Sequence, residues 1–129
     1  MVPRRGRSPG ALEQKVIDCL SAADRSMTPA EVQEALGSGL AYTTVLTALS
    51  RLYAKQALTR APKGRGFAYR LAGIDAADAE ASMTAHRMRR VLEGGSDHST
   101  VLAHFVSGLD EETTEVLRAL LAELTDDEA

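Results

Sequence analysis

The sequence predicts a mainly α-helical protein that contains one small β-hairpin. Apolar residues recur at helical spacing in three segments before residue 57, the period changes to two between residues 57 and 71, and helical spacing returns from residue 74. Aromatic residues make up 4% of the chain and Trp is absent, whereas Ala and Leu are abundant. This composition is ordinary for a helix-rich globular protein. A chain of 129 residues suffices for one domain, or for a small domain and an oligomerisation segment.

Composition and charge divide the chain into three predicted parts: a flexible basic arm (1–9), a helix-and-hairpin domain (10–73) and a helical segment (74–129). Residues 1–70 carry 11 Lys and Arg against 5 Asp and Glu, whereas residues 71–129 carry 4 against 13. This asymmetry favours a polyanionic partner for the first half only. The three arginines of the arm could also contact phosphate, although a tag-like disordered end is the simpler interpretation.

The first two predicted helices carry clear local signals. Residues 10–23 place apolar side chains, including Cys19, on one stripe, with Glu13 expected off that face. Thr28 and Glu31 then form a predicted capping box around a proline at the first helical position. Gly-Ser-Gly at 37–39 ends the second helix, and the third follows almost at once. The second and third helices therefore form a predicted helix-turn-helix pair.

The third predicted helix, residues 41–56, has two dissimilar sides. One arc, about a third of the circumference, is apolar and expected to be buried: Tyr42, Val45, Leu46, Leu49, Leu52 and Tyr53. The other side carries hydroxyls and cations without a carboxylate: Thr43, Thr44, Thr47, Ser50, Arg51 and Lys55. Short donor-acceptor side chains beside cations suit a helix in a DNA major groove. Alternatively, the Thr hydroxyls of a buried helix could bond back to their own carbonyls.

A hairpin is predicted after this helix, with strands at 57–61 and 67–71 and a wide turn at 62–66. Its apolar face is expected to pack on the helices, because a two-stranded hairpin alone is marginally stable. Three helices followed by a hairpin with a cationic tip are typical of a winged helix. The tip could face phosphate or be a solvated turn. The predicted DNA-binding residues are Thr43, Thr44, Thr47, Arg51, Lys55, Lys63 and Arg65.

From residue 74 onward, three predicted helices carry more apolar surface than a helical hairpin could hide. Pairing with the same segment of a second chain would bury it and give a two-fold dimer. The predicted interface residues are Met83, Leu102, Phe105, Val106, Val116, Leu117, Leu120, Leu121 and Leu124. The alternative is a monomer in which these helices pack back onto the first domain.

Other chemistries are disfavoured. The sequence has no apolar run of about 18 residues and no signal-peptide start, so we expect a cytoplasmic protein. The lone Cys19 cannot form an internal disulfide, and we interpret it as a core residue. The spacing of His86, His98 and His104 matches no helical metal pair. No nucleophile has a recognisable base, and no phosphate-binding loop follows a strand. We therefore predict no enzyme activity, metal or cofactor.

The stretch from residue 41 to residue 71 resembles the recognition helix and wing of the penicillinase-repressor family (BlaI/MecI). The residues that carry the resemblance are Thr44, Val45, Thr47, Leu49, Arg51, Leu52, Lys55, Gly64, Arg65, Phe67 and Tyr69. The likeness extends over roughly residues 10–124, with HFVSGLDEETTEVLRALL similar to the family's dimerisation helices. It implies a winged helix-turn-helix DNA-binding domain followed by an α-helical dimerisation segment.

The resemblance also implies a function: homodimeric repression at a palindromic double-stranded DNA operator with TACA/TGTA half-sites. Many members are controlled by a membrane-bound sensor protease of the BlaR type, which responds to β-lactam and leads to cleavage and loss of the dimer. The family's scissile bond, commonly Asn-Phe, corresponds here to His104-Phe105. Two other functions remain open: a winged-helix regulator that senses a small molecule, and a winged-helix protein-interaction module.

Overall fold

A computed structural model describes residues 10–37 and 39–128. The predicted arm and Ser38 of the Gly-Ser-Gly turn lie outside the described residues. The described elements are α1 (Gly10–Ala23), α2 (Pro29–Leu36), α3 (Tyr42–Ala54), β1 (Leu58–Lys63), β2 (Gly66–Leu71), α4 (Ala76–Glu93), α5 (His98–Ser107) and α6 (Glu111–Glu128). The predicted class, mainly α with one hairpin, is confirmed. Two compact units form, a first unit that ends at Met88 and a second unit that begins at Arg89.

The first unit has a continuous hydrophobic core to which α1, α2, α3 and the hairpin all contribute. Its most buried large side chains come from every one of these elements and leave almost nothing exposed: Val16, Ile17, Leu20, Val32, Val45, Leu49, Leu52 and Tyr69. Burying such apolar surface is the main driving force of folding. The core therefore fixes α3 on its apolar side and leaves its opposite side to solvent.

The start and end of α2 match the sequence prediction. The Thr28 hydroxyl accepts a hydrogen bond from the Glu31 backbone N–H at 3.3 Å, and the Glu31 carboxylate accepts one from the Thr28 N–H at 2.8 Å. Gly37 ends the helix with φ of 60°, a conformation that glycine adopts without steric cost. The Gln33 amide then donates to the carbonyl of Leu40 at 2.9 Å. The last of these bonds links α2 to Leu40, shortly before α3 begins.

The hairpin is narrower at its tip than predicted. Lys63 pairs with Gly66, so only Gly64 and Arg65 form the turn. Gly64 has φ of 61°, as required at the first central position of a type II′ turn. The expectation of a wide turn was wrong because β1 continues through Pro62, which a sheet edge tolerates. The tip is therefore a tight two-residue turn.

A third strand segment, which the sequence did not reveal, holds the hairpin to the helices. Met27 and Tyr69 exchange two backbone hydrogen bonds, of 2.8 and 2.7 Å, in an isolated antiparallel bridge. Both side chains are buried in the core. Three paired segments make the hairpin more stable than two strands alone.

Helix α4 contributes to the first unit as well as the second. Ala79 is fully buried in the first unit's core, and Met83 packs against that core. The side chain of Met83 is only partly buried there, so its place in a dimer interface stays a prediction. The division between units falls inside α4, later than the boundary predicted after residue 73.

The second unit is held by local interactions. Asp97 caps α5 by accepting the Thr100 N–H at 3.1 Å, and Asp110 caps α6 by accepting the Thr113 N–H at 2.7 Å. These hydrogen bonds lower the pKa of both carboxyls. No described residue of α5 or α6 is fully buried. Among the described helices of the whole chain, none is long and apolar enough to cross a membrane.

Candidate nucleic-acid interface

The polar side of α3 is exposed in the structure. We call it the threonine face: Thr43, Thr44, Thr47, Ser50 and Arg51. Val45, Ala48, Leu49 and Leu52 of the same helix are buried. The predicted division is confirmed for Val45, Leu49, Leu52 and the threonine face, because the core covers one arc and leaves the other in solvent. Ala48 was not assigned to either side, and Leu46, predicted to be buried, is half-buried.

Tyr42 and Tyr53 are exceptions to that division. The sequence placed both in the buried arc, yet Tyr42 is 46% exposed and Tyr53 is 39% exposed. Both lie on the same edge of the predicted arc as half-buried Leu46, whereas Ala48, beyond the opposite edge, is buried. The expectation that Tyr42 is a core residue is wrong.

The groups of the threonine face are free to bind a ligand. In the part of the chain that the structure describes, no hydrogen bond engages the hydroxyls of Thr43, Thr44 or Thr47, and no ion pair engages Arg51. The alternative in which these hydroxyls bond back to carbonyls is therefore not observed. Thr residues and Arg51 also line an open groove against the first turns of α1. The face thus offers unpaired donors and acceptors, methyl groups and one cation.

Lys55, predicted to neutralise phosphate, already has an anionic partner. Its Nζ lies 2.9 and 3.1 Å from the two carboxylate oxygens of Glu13. Glu13 is only 7% exposed, so the expectation that it lies off the buried face was wrong. A buried carboxylate requires such a cation, because an unpaired buried charge is costly. A phosphate contact by Lys55 stays a prediction, and it would require this ammonium group to leave Glu13.

The wing tip presents two exposed cations, Lys63 and Arg65, on either side of Gly64. Neither forms a hydrogen bond or ion pair with another described residue. The pKa of Glu31 is lowered first by the hydrogen bond from the Thr28 N–H, with smaller contributions from Arg25 and Lys63. The tip charges are thus available to an external anion.

Arg60, which the sequence did not single out, joins the wing to the end of α3. Its guanidinium carbon lies 4.0 Å from the ring centroid of Tyr53 and 3.9 Å from that of Phe67. Arg60 pairs across the hairpin with Tyr69, so Phe67 is its diagonal neighbour on the same face of the sheet. The period-two pattern of the strands was the only signal in the sequence that could have shown this grouping.

The predicted dimer residues of the second unit lie on one face of α5 and on one face of α6, and we call these two faces together the apolar stripe. Seven of these residues are about half exposed in the single chain: Leu102, Phe105, Val106, Val116, Leu120, Leu121 and Leu124. Leu117 is half-buried. The His104-Phe105 bond lies inside α5, near its end. These residues form no core of their own within the second unit.

Two further features concern reactive groups. Burial raises the pKa of the Cys19 thiol, partly offset by Arg25, and Cys19 packs against the first unit's core as predicted. No cluster of three or more His, Cys, Asp or Glu side chains suited to a metal ion occurs among the described residues.

Comparison with known sequences decides the family. The sequence model of the penicillinase repressor family matches residues 9–123. The transcriptional regulator BlaI of Mycobacterium tuberculosis is 34% identical over 118 residues, which cover 89% of this chain and 83% of that protein. The chain belongs to the penicillinase repressor family. The predicted resemblance is confirmed, and the family's members are transcriptional regulators rather than enzymes.

Solved structures are more distantly similar to this member of the penicillinase repressor family. Oxidised MarR of Escherichia coli aligns with 89% of this chain and 74% of its own, at 22% identity and a TM-score of 0.45. FabT of Streptococcus pneumoniae, solved in complex with DNA, aligns with 90% and 73%, at 22% identity and a TM-score of 0.42. The family assignment depends on the sequence comparisons.

Proposed function

We propose that this transcriptional repressor is a homodimer that binds a palindromic double-stranded DNA operator, with α3 in the major groove and the hairpin as its wing. The observation that carries the proposal is the threonine face, an exposed surface without carboxylates on a helix anchored by a complete core. Thr43, Thr44 and Thr47 would read bases, with methyl groups available to thymine methyls and hydroxyls to polar base edges.

Cations around this face would supply affinity without sequence preference. Arg51 on α3 and Lys63 and Arg65 on the wing would neutralise phosphates, which position a protein on the duplex. Lys55 would contribute only if it exchanged Glu13 for phosphate. The basic first half of the chain supports this assignment, because its net charge attracts a polyanion.

Dimerisation would occur through the apolar stripe of the second unit. Its exposed leucines and Phe105 cannot be covered within the unit, and pairing with a second copy would remove them from water. Two reading helices would then meet the two half-sites of a palindrome. A monomer would make half of the contacts and bind much more weakly, so loss of the dimer would release the operator.

Release could follow proteolysis at His104-Phe105 by a membrane-bound sensor protease in a β-lactam or cell-envelope response. This bond lies in α5, between two residues of the region that would form the dimer interface, so cleavage there would divide the apolar stripe. Mass spectrometry of the protein from β-lactam-treated cells should show a cut after residue 104. An intact chain together with derepression would contradict this route and would favour direct release by a small molecule.

Base reading and phosphate contact are separable by measuring binding to operator and random DNA at several salt concentrations. Thr47→Ala should reduce discrimination between the two DNAs, by roughly 1–3 kcal/mol if its base contact is lost. Arg65→Ala should weaken binding to both DNAs. It should also reduce the salt slope, which is the slope of the logarithm of the binding constant against the logarithm of the salt concentration, by about one in magnitude.

Thr59→Ala and Arg70→Ala are matched controls. These residues pair with each other on the face of the hairpin opposite to Tyr69, and both are exposed. Thr59→Ala, the control for Thr47→Ala, should leave discrimination between the two DNAs unchanged. Arg70→Ala, the control for Arg65→Ala, should leave the salt slope unchanged. Equal losses on operator and random DNA for Thr47→Ala would exclude it as a base reader, and absence of DNA binding at low salt would favour a protein-interaction module.

A further inference from the structure

The contact of Arg60 with Tyr53 and Phe67 joins two separately encoded parts of the first unit. Tyr53 lies at the carboxyl end of α3, whereas Arg60 and Phe67 belong to the two strands of the wing. Phe67 packs in turn against buried Tyr69, with ring centroids 6.5 Å apart at 64°. The Arg60 side chain is therefore held against rings whose own positions are fixed by α3 and the core.

This arrangement uses the guanidinium plane but leaves its hydrogen-bond donors unused. Arg60 is exposed, and its guanidinium makes no hydrogen bond or ion pair with another residue in the part of the chain that the structure describes. Stacking on aromatic rings restricts an arginine while its five N–H groups remain able to bind an oxyanion. An ion pair within the chain, such as that between Lys55 and Glu13, would instead have neutralised the Arg60 charge and occupied its donors.

We propose that Arg60 is a preorganised phosphate-binding residue at the junction of the recognition helix and the wing. This inference rests on the proposed DNA-binding function and adds a phosphate contact from β1 to those proposed for α3 and the wing tip. Its ligand is a backbone phosphate of duplex DNA, which the planar guanidinium matches in a bidentate manner. Because the rings already hold the side chain, little conformational entropy is lost on binding.

The test is the salt dependence of DNA binding by the full chain. Arg60→Leu removes the charge but keeps apolar packing against the rings. We expect affinity for operator and random DNA to fall about tenfold at low salt, with the salt slope flattened by about one. Arg70→Leu removes the same charge from the opposite face of the same hairpin, and we expect its slope to match the unmodified protein.

Two ring variants test preorganisation while every charge is kept. Tyr53→Leu should weaken binding by about threefold without changing the salt slope, because it loses one stacking partner of Arg60. Tyr53→Phe retains the ring and should bind like the unmodified protein. Thermal unfolding of each variant, compared with the unmodified chain, verifies that the first unit remains folded.

The outcomes distinguish this inference from the proposed function. If the unmodified protein binds DNA but Arg60→Leu keeps its salt slope, Arg60 only packs the wing and the inference is overturned. A slope reduced equally by Arg70→Leu would also overturn it, since net charge alone would then account for the loss. If the unmodified protein does not bind DNA at low salt, the proposed function itself fails.

Discussion

The two units of this protein use apolar residues in opposite ways. In the first unit, side chains from three helices and the hairpin converge on one core, and residues such as Leu49 and Leu52 are fully buried. In the second unit, helices of similar character leave Leu120, Leu121 and Leu124 more than half exposed in the single chain. Equivalent hydrophobic patterns therefore serve different purposes, which depend on whether the same chain supplies a covering surface.

In the proposed dimer, this contrast would separate DNA binding from assembly. A unit with its own core can hold the threonine face in place whatever the second unit does. Helices without internal burial gain most of their stability from packing on another surface. Substitutions in each unit can test whether the first unit is autonomous and the second depends on a partner.

The largest effect should come from Leu49→Ala in the first unit's core. Leu49 is fully buried, and such truncations typically cost about 2–5 kcal/mol through lost burial and the cavity left behind. Urea unfolding should show this loss equally at low and high protein concentration. Leu120→Ala, in the second unit, is the matched truncation, and its cost should vary with protein concentration. A concentration-dependent cost for Leu49→Ala would contradict an autonomous first unit.

A double charge substitution, Leu120→Glu with Leu121→Glu, should disrupt assembly while leaving the first unit folded. Burying unpaired carboxylates in the proposed interface is strongly unfavourable, so the dissociation constant of the dimer should rise on the order of 100-fold or more. Sedimentation velocity measures this change. Ala122→Glu places a charge on the other side of α6 and should leave the dimer intact. An unchanged sedimentation profile for the double variant would exclude the apolar stripe as the interface.

Within the first unit, Lys55→Met should affect stability more than DNA binding. Removing the cation beside nearly buried Glu13 should lower the free energy of unfolding by about 1–2 kcal/mol. The loss should be modest because the Lys55 side chain is 46% exposed, so solvent screens the ion pair. Adding Glu13→Gln should recover part of the loss, which a double-mutant cycle would measure. If Lys55→Met flattened the salt slope of DNA binding as much as Arg65→Ala, Lys55 would contact phosphate in the complex.

The smallest effect concerns the caps of the second unit at acidic pH. The pKa values of Asp97 and Asp110 are lowered in the folded state by backbone hydrogen bonds from Thr100 and Thr113. Their stabilisation is therefore complete above the pKa of the unfolded chain and is lost as pH falls through the lower folded pKa, below about pH 4.

Helical content measured by circular dichroism from pH 7 to pH 2 should report this loss. Asp97→Asn with Asp110→Asn keeps capping side chains that do not titrate, so part of the acid-induced change should disappear. An identical acid profile for this double variant would show that the caps do not contribute to it.

Much of the fold was accessible from the sequence because its signals are local. Thr28 and Glu31 are three residues apart, and their reciprocal bonds follow from that spacing alone. Asp110 likewise accepts a hydrogen bond from the N–H of a residue three positions later, Thr113. The two sides of α3 also follow from helical periodicity, which correctly placed Thr43, Thr44 and Thr47 in solvent. Tyr42 was misplaced because periodicity cannot show where the covering elements stop.

The features that required the structure are contacts between residues distant in the chain. Glu13 and Lys55 are 42 positions apart, and nothing in either segment indicates that the two side chains meet. Met83 packs against the first unit's core because the start of α4 lies beside that core, and the sequence does not show this position of α4.

The sequence by itself therefore determined the helices, their caps and the polar side of α3, since these depend on interactions between near neighbours. Only the tertiary structure decided which charges remain free. Lys55 is held by Glu13, whereas Arg60 stacks on Tyr53 and Phe67 with its donors unpaired. Whether a cation can meet an external anion depends on the groups that the fold packs around it, and amino-acid type alone does not reveal those groups.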